Sequence, residues 1–300
     1  MDMDFDTFLI GLYLMVDEWL QKEGQRYLRP QGGAPPRLSD AEMLTLLLAH
    51  QLSQAKWRER RWLRFLCKNY QGWFPALTSQ SAYNRRARNL WGVLNALRVQ
   101  LTREISAQLP PEGVTDGTPI HVRHWRRYGP HHLALPEADV GYCAAKREFY
   151  YGYKLLALVS ISGIIIEWGL LPASADERVG FEEMMCEDEG WLVWGDKGFL
   201  DQERQRRLEE EQSIVLIAPT RCNQHQQLHP ALQEQLAATR PIVETTFAQA
   251  KGFVDLEDPH AYTWSGLVMR IIAKLTALAV IAWANTRRGL SPLSFVHFAW

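Results

Sequence analysis

The run Val114-Thr115-Asp116-Gly117-Thr118 sets the expected fold, because it is short, β-rich and carries a carboxylate at its centre. It follows Pro110 and Pro111, which end a long helical region. The glycine after Asp116 would let another part of the protein approach the backbone closely. The run therefore predicts the first strand of a sheet, with an acidic group on that strand.

Four further runs of strand character follow this one, and turns or helical segments separate them. They lie at 150–160, 163–171, 191–195 and 214–218. Ser162-Gly163 joins the first two as a hairpin would. Helical patterns cover the remainder, at 176–187, at 200–211 and from about residue 229 to about 288. The order β-β-β-α-β-α-β-α-α resembles that of an RNase H-like fold. We therefore expect an α/β domain over residues 109–300, with a mixed five-stranded sheet and helices on both faces.

Residues 1–108 are predicted to form an all-α region, because their apolar residues recur at helical spacing. The clearest set is Phe8, Leu9, Leu12, Val16, Trp19 and Leu20. Ser39 with Glu42 forms a capping-box pattern before another apolar run. Between Lys56 and Arg103 there are eleven basic residues and one acid, Glu59. Such a segment can bind phosphates although the whole chain has a formal net charge of -1.

A helix-turn-helix DNA-binding element is one interpretation of the basic segment. Thr78 or Ser79 could cap a helix that carries three arginines, Arg85, Arg86 and Arg88. An ordinary helical bundle with a solvated basic face is the alternative. Neither interpretation is excluded by this segment alone.

Composition limits the class of protein. Hydrophobic residues make up 47% of 300, which is ample for a sizeable core and excludes global disorder. The longest apolar stretch, 267–283, contains Arg270 and Lys274, so it predicts a buried helix and not a membrane span. The N-terminus is acidic and lacks the basic flank of a signal peptide. The four cysteines are scattered and form no C-x-x-C pair, as in a cytoplasmic protein with reduced thiols.

Asp196 is the second carboxylate of interest, because it follows the buried run 191–195 and leads into Lys197-Gly198-Phe199. A carboxylate at the end of a buried strand is costly unless a positive group or solvent compensates it. A metal ion would supply that charge. Strand-end aspartates also commonly cap the next helix, and that alternative stays open.

Glu244 is the third candidate, and it lies three residues after Pro241, a residue that suits the first turn of a helix. At about 100° per residue, Arg240, Glu244 and Lys251 fall at roughly 0°, 40° and 20°, on one narrow stripe. Such a stripe could present a carboxylate between two cations at an active site. A surface ladder of salt bridges would give the same spacing.

Three blocks of this sequence, taken together, resemble the DDE transposases of bacterial insertion sequences. The blocks are 114–118, Trp194-Gly195-Asp196-Lys197-Gly198-Phe199, and Arg240-Pro241-Ile242-Val243-Glu244 with Phe247 and Lys251. Gly152-Tyr153-Lys154-Leu155 and Leu170-Leu171-Pro172-Ala173 also resemble that family. The resemblance covers roughly residues 110–285, with 80 and 48 residues between successive acids.

The resemblance implies that Asp116, Asp196 and Glu244 are catalytic and together hold two Mg²⁺ or Mn²⁺ ions. It implies that Arg240 and Lys251 contact DNA beside the active site. A tyrosine often precedes the arginine by three residues in the family, and here that position is Ala237. The implied partner is double-stranded DNA, bound by a homodimer because two element ends must meet, in the cytoplasm at the bacterial nucleoid. No membrane or nucleotide partner is implied, since no G-x-x-x-x-G-K-[ST] loop is present.

The segment after the first predicted strand offers weaker candidates. His121 and His124 could suggest zinc together with His131, His132 and Cys143, but their spacing fits no strong zinc pattern. Arg123, Arg126 and Arg127 favour a loop that contacts phosphates. Two alternatives to a transposase remain at this stage. One is a metal-dependent nuclease that does not join DNA, and the other is a non-catalytic DNA-binding protein derived from a transposase.

Overall fold

The computed structural model of the chain describes residues 4–28, 36–53, 56–123, 135–144, 146–220, 228–292 and 294–295. It forms two compact units. The first contains residues 1–103, 253–256 and 261–300, and the second contains residues 104–252 and 257–260. The sequence analysis placed everything after residue 108 in one domain. The contacts instead group the residues from 261 onward with the N-terminal helices, because the long apolar C-terminal helix packs among them.

Within the described ranges the α-helices are α1 (Phe5–Lys22), α2 (Asp40–Leu52), α3 (Glu59–Asn69), α4 (Gln80–Asn89), α5 (Trp91–Ser106), α6 (Glu177–Met184), α7 (Gln202–Gln212), α8 (Pro230–Val254) and α9 (Trp264–Arg287). The strands there are β1 (Glu112–Arg123), β2 (Asp139–Cys143), β3 (Glu148–Ser160), β4 (Ile165–Pro172), β5 (Leu192–Trp194) and β6 (Val215–Ile217). A helical N-terminal region followed by a mixed α/β part is the architecture that the sequence predicted.

The N-terminal helices begin where their capping residues predict. The Asp4 side chain accepts a hydrogen bond from the backbone N–H of Thr7 at 2.9 Å and caps α1. The predicted capping box of Ser39 and Glu42 opens α2. Of the two candidate caps for α4, Ser79 is the one used. The six apolar residues predicted for α1 are all buried.

Helix α9 is the core helix of the first unit. Among the described residues it is long and apolar enough to pass as a membrane span, but 72% of its apolar window is buried inside the protein. Its Lys274 ammonium is buried and donates hydrogen bonds to the carbonyls of Val254 and Asp255. The Thr276 hydroxyl donates to the carbonyl of Leu94 at 3.2 Å. These contacts satisfy polar groups that burial would otherwise leave unpaired, as the prediction of a buried helix requires.

The sheet of the second unit has the strand order β2-β3-β1-β5-β6, with β4 also paired to β3. Strands β1, β3 and β4 form the predicted antiparallel part, and Gly163, at φ +82°, lies in the turn between β3 and β4. Strands β1, β5 and β6 are parallel. Strand β2 was not predicted from the sequence, and with it the sheet has six described strands and not five. This edge strand is only five residues long and mostly half-buried, so its apolar pattern is weak.

One expectation about the helices is wrong. Pro241 does not lie in the first turn of a helix, because α8 begins at Pro230 and continues through Pro241. A proline inside a helix cannot donate to the carbonyl four residues earlier, which disfavours this continuation locally. The helix nevertheless continues, and it buries Thr239, Val243 and Phe247 on one face. Glu244 is therefore carried by the middle of a long helix.

A hydrophobic cluster joins α6 and α7 to the sheet. Its fully buried members include Leu156 and Leu158 of β3, Phe181 of α6 and Val193 of β5. Burying side chains of this size stabilises a fold by roughly 1.5–3 kcal/mol each. The cluster fixes β5 and the segment after it relative to β3, and this segment contains Asp196.

Gly152 is the glycine whose replacement tests the register of β1 against β3. Its φ is +155°, and an added Cβ would lie 2.1 Å from the carbonyl oxygen of Ile120. We expect Gly152→Ala to lower the free energy of unfolding by about 2–4 kcal/mol. Gly169→Ala is the matched control in β4, where a Cβ meets nothing within 4 Å. The control should be neutral or stabilising by about 0.4–1 kcal/mol. Urea denaturation measures both, and equal effects would contradict the described register.

Candidate active site

Asp116 and Asp196 lie at the same edge of the sheet. Strands β1 and β5 are parallel neighbours, and their last paired residues are Val114 and Trp194. Each aspartate follows its strand's last paired residue by two positions, so the parallel register brings the two together. Both are half-buried. The parallel pairing therefore gathers two carboxylates that are 80 residues apart in the sequence.

The Asp196 side chain accepts a hydrogen bond from the backbone N–H of Gly198 at 2.7 Å. It caps the short helical turn Lys197–Phe199, so the helix-cap alternative describes part of its role. The cap holds one carboxylate oxygen by a backbone donor. It also orients the carboxylate at the strand end, beside Asp116. Asp196 can therefore both cap this turn and contribute its carboxylate to the charged site beside Asp116.

The environment of Asp116 disfavours its negative charge. Its Oδ1 accepts a hydrogen bond from the backbone N–H of Gly117 at 2.8 Å. Burial, and to a lesser extent the nearby charges of Glu177 and Asp196, raise the pKa of Asp116 to about 6. The Gly117 hydrogen bond and Arg240 act in the opposite direction but do not offset these effects. A raised pKa from burial and like charges is characteristic of functional carboxylates and of structural acid clusters alike.

Glu244 forms an ion pair with Arg240, and Arg240 lies near the two aspartates. The Arg240 Nε lies 2.9 Å from Glu244 Oε1, and both side chains are more than half exposed. The ladder alternative predicts such an i,i+4 pair. The hydrogen bond to Glu244 raises the pKa of Arg240, and so do the charges of Asp116 and Asp196. A surface salt-bridge ladder does not predict the influence of these two aspartates. Arg240 thus lies within electrostatic reach of all three predicted acids.

Lys251 is held by a different acid. Its Nζ lies 2.9 Å from Glu257 Oε1, and the other oxygen of Glu257 contacts Lys146 Nζ at 2.5 Å. The Glu257 carbonyl accepts a hydrogen bond from the His121 backbone N–H at 2.7 Å. Glu257 therefore connects α8, the end of β1 and the turn between β2 and β3. Of the three stripe residues, Arg240 and Glu244 pair with each other and Lys251 pairs elsewhere.

Sequence reasoning missed a second ion pair at the site, between Lys154 and Glu177. Their charged atoms are 2.7 Å apart, and each side chain is no more than one-quarter exposed. An added Cβ on Gly117 would lie 3.0 Å from Lys154 Cδ and 3.1 Å from Glu177 Oε1. The close approach predicted at Gly117 is therefore made by this ion pair. Strand β4 runs parallel to β1, because both are antiparallel to β3. Glu177 follows the carboxyl end of β4, so the predicted strand order could have placed it at this edge of the sheet.

The remaining predicted residues are placed as follows. Arg85 is exposed, and Arg88 is half-buried. Arg86 lies 2.6 Å from Asp40 and also donates to the Leu38 carbonyl. The ring of His121 stacks on Tyr150, at 5.4 Å between centroids. The backbone of Arg123 ends β1. Arg126 and Arg127 lie outside the described residues, as do His124, His131 and His132.

The donor set at the aspartates suits a hard divalent cation, because carboxylate oxygens are the ligands that Mg²⁺ prefers. The raised pKa of Asp116 is compatible with this, since burial and the neighbouring acids disfavour its negative charge and a bound cation would favour it. Within the described part of the chain, however, no group of three or more His, Cys, Asp or Glu side chains is close enough to hold a metal ion. The two aspartates fit the cation, while Glu244 here contacts Arg240.

The charge of Asp116 should cost folding stability in metal-free buffer. An acid whose pKa is raised by folding keeps its proton more tightly when folded, so stability is lost as pH rises from about 4 to about 6. We expect Asp116→Asn to raise the free energy of unfolding at pH 7.5 by about 2 kcal/mol and to change it little at pH 4. Urea denaturation at both pH values measures this.

Asp139→Asn is the control of opposite sign. Hydrogen bonds from the Ser174 hydroxyl and the Val140 N–H lower the pKa of Asp139. Its replacement should therefore reduce stability at pH 7.5. If Asp116→Asn is also destabilising at pH 7.5, the described environment of Asp116 is wrong.

Comparison with known proteins agrees with this geometry. A family model described as Transposase DDE domain matches residues 110–262, which is more than half of the chain. No curated protein matches the chain. The matched segment begins just before β1 and includes both strand-end aspartates and Glu244. The chain therefore belongs to the family of transposases that carry a DDE domain.

Proposed function

We propose that this protein is a DNA transposase that binds the ends of its own insertion sequence, cleaves there and joins the 3′-hydroxyl ends to a target. One observation carries the proposal. In a DDE transposase domain, Asp116 and Asp196 share one sheet edge, and Arg240 links them electrostatically to Glu244. The catalytic residues proposed are Asp116, Asp196 and Glu244.

Two divalent cations, Mg²⁺ or Mn²⁺, are the proposed cofactors. Asp116 and Asp196 would supply the carboxylates at the strand ends, and Glu244 would exchange Arg240 for a cation. Bound metals would stabilise charge on the attacking and leaving oxygens of the phosphodiester. Arg240 is exposed beside the acids, so once released from Glu244 it could contact a DNA phosphate.

The same acids suit both steps of transposition, because cleavage and joining differ only in the nucleophile. Water attacks in the first step and a DNA 3′-hydroxyl in the second. Since two element ends must be cut and joined together, we propose that a homodimer assembles on DNA in the cytoplasm. The proposed DNA contacts are Arg240, Lys251, Arg85, Arg86, Arg88, Arg123, Arg126 and Arg127. Lys251 and Arg86 would first have to leave Glu257 and Asp40.

A cleavage and joining assay tests the proposal. The substrate is linear DNA that carries the flanks of the protein's own gene, with a supercoiled plasmid as target, with and without Mg²⁺. We expect metal-dependent nicks at fixed positions and joined products. Asp196→Asn and Glu244→Gln should each reduce both products at least about a hundredfold, since stabilising transition-state charge through metals contributes several kcal/mol.

Glu210→Gln on α7 is the matched control, since it removes one carboxylate that is 65% exposed. It should retain full activity. Nicks without joined products would favour a nuclease over a transposase. DNA binding without strand breakage under any condition would contradict the catalytic assignment altogether.

A further inference from the structure

Helix α3 separates its charged and apolar residues onto opposite faces. At about 100° per residue, Trp62, Leu63 and Leu66 lie on one side, and all three are buried. Four exposed cations fall within an arc of about 100° on the opposite side. They are Arg60, Arg61, Arg64 and Lys68, and exposed Arg58 precedes them at the N-cap. We call these five residues the α3 basic face.

The acid of this helix does not neutralise the α3 basic face. Glu59 is buried on the apolar side, where it accepts a hydrogen bond from Asn84 and lies 3.8 Å from Arg270. In the part of the chain that the structure describes, none of the five cations has a carboxylate within 4.0 Å. Arg61 lies over the Trp57 ring, at 5.0 Å from its centroid.

Three other exposed cations of the described chain have carboxylate partners. Lys22 pairs with Glu18 at 2.5 Å, Arg26 with Glu23 at 3.0 Å, and Arg206 with Glu210 at 3.9 Å. Like charges spaced by four residues, as at 60, 64 and 68, destabilise a helix by roughly 0.2–0.5 kcal/mol per pair. The α3 basic face therefore carries repulsion that a polyanion would relieve.

Helix α4 offers less to such a partner. Arg86 is committed to Asp40 and to the Leu38 carbonyl, and Arg88 is half-buried. Of the three arginines predicted on this helix, only Arg85 is exposed. The second helix of a helix-turn-helix pair would be expected to carry the DNA-reading residues. Here the exposed positive charge is concentrated on α3, the first helix of the pair.

We propose that the α3 basic face is the main surface on which the first unit binds double-stranded DNA, with α4 contributing less, and that it contacts phosphates without reading bases. The inference rests on the proposed function for its choice of DNA as the polyanion. The face from residue 60 to residue 68 spans about 12 Å at 1.5 Å per residue. One DNA strand presents a charge about every 3.4 Å along the duplex, so three or four phosphates match this length. Arginine and lysine heads on such a stripe are suited to phosphate contacts.

Salt dependence of DNA binding tests the proposal directly. Binding is measured in EDTA, so that strand breakage plays no part, on a 30-base-pair duplex of the gene's own flank and on a scrambled duplex. The variant is Arg60→Gln/Arg64→Gln/Lys68→Gln. The slope measured is that of the logarithm of the binding constant against the logarithm of the salt concentration. Each lost phosphate contact should reduce the magnitude of this slope by about 0.9. We expect the slope to fall by about 2 to 3 and affinity at 0.1 M salt to fall on the order of a hundredfold, equally on both duplexes.

Two further variants make the result decisive. Lys22→Gln/Arg26→Gln/Arg206→Gln changes the net charge by the same amount at cations that already have carboxylate partners, and it should keep the slope within about 1 of the wild type. Arg60→Lys/Arg64→Lys keeps the charge and should keep the slope. The single variant Arg60→Gln should lower it by about 1. Circular dichroism melting confirms that each variant is folded.

Three outcomes would overturn the proposal. The slope could stay unchanged in the α3 triple variant, or the paired-cation triple could lose as much. A loss confined to the gene's own flank would mean that α3 reads bases. Failure of the cleavage assay alongside normal metal-free binding would refute the catalytic proposal alone, so the two failures are distinguishable.

Discussion

The parallel pairing of β1 with β5 is the constraint on which the candidate site depends. It is only three residues long, and it aligns Val114 with Trp194. Because the strands run in the same direction, the residues that follow this pairing lie at one edge, and an aspartate stands at the same offset on each side. Slipping a strand by one residue would turn one of these side chains to the opposite face. The cluster around Phe181 and Val193 opposes such a slip, since it would expose residues that are now fully buried.

Negative charge gathered at this edge is only partly compensated by the protein. Lys154 neutralises Glu177, and Arg240 neutralises Glu244, but neither cation is paired with Asp116. Burial then raises the pKa of Asp116 to about 6. A half-buried carboxylate with no cation paired to it costs folding stability when it is ionised. Its presence is explained if a cation from solution completes the site, and a DDE transposase domain is a setting in which that is expected.

Helices were predicted correctly from the sequence where a short local pattern is enough to determine them. Hydrophobic spacing gave α1, the capping box gave the start of α2, and the charged residues inside the apolar stretch gave a buried α9. Secondary structure was predicted wrongly where contacts between residues distant in the sequence determine it. Strand β2 is too short to show a clear period, and α8 continues through Pro241 with Thr239 and Val243 buried on either side of it. The two strand-end aspartates were found from the sequence, and their catalytic role stays a prediction. The Lys154–Glu177 pair was missed, although the predicted pairing of β3 with β4 brings those residues to one edge.

Charge compensation separates two kinds of ionised residue in this chain, and the separation is more informative than the net charge of -1. Residues such as Arg86 have half-buried partners at hydrogen-bonding distance, and their role in the folded protein is thereby explained. Asp116 and the α3 basic face have no such explanation, since each leaves like charge in place at a cost in stability. The sign of the unmatched charge identifies the missing partner. The proposed cation at the sheet edge would supply positive charge to Asp116, and the proposed DNA would supply negative charge to the α3 basic face. A transposase needs both kinds of ligand, so the two uncompensated sites are consistent with a single function.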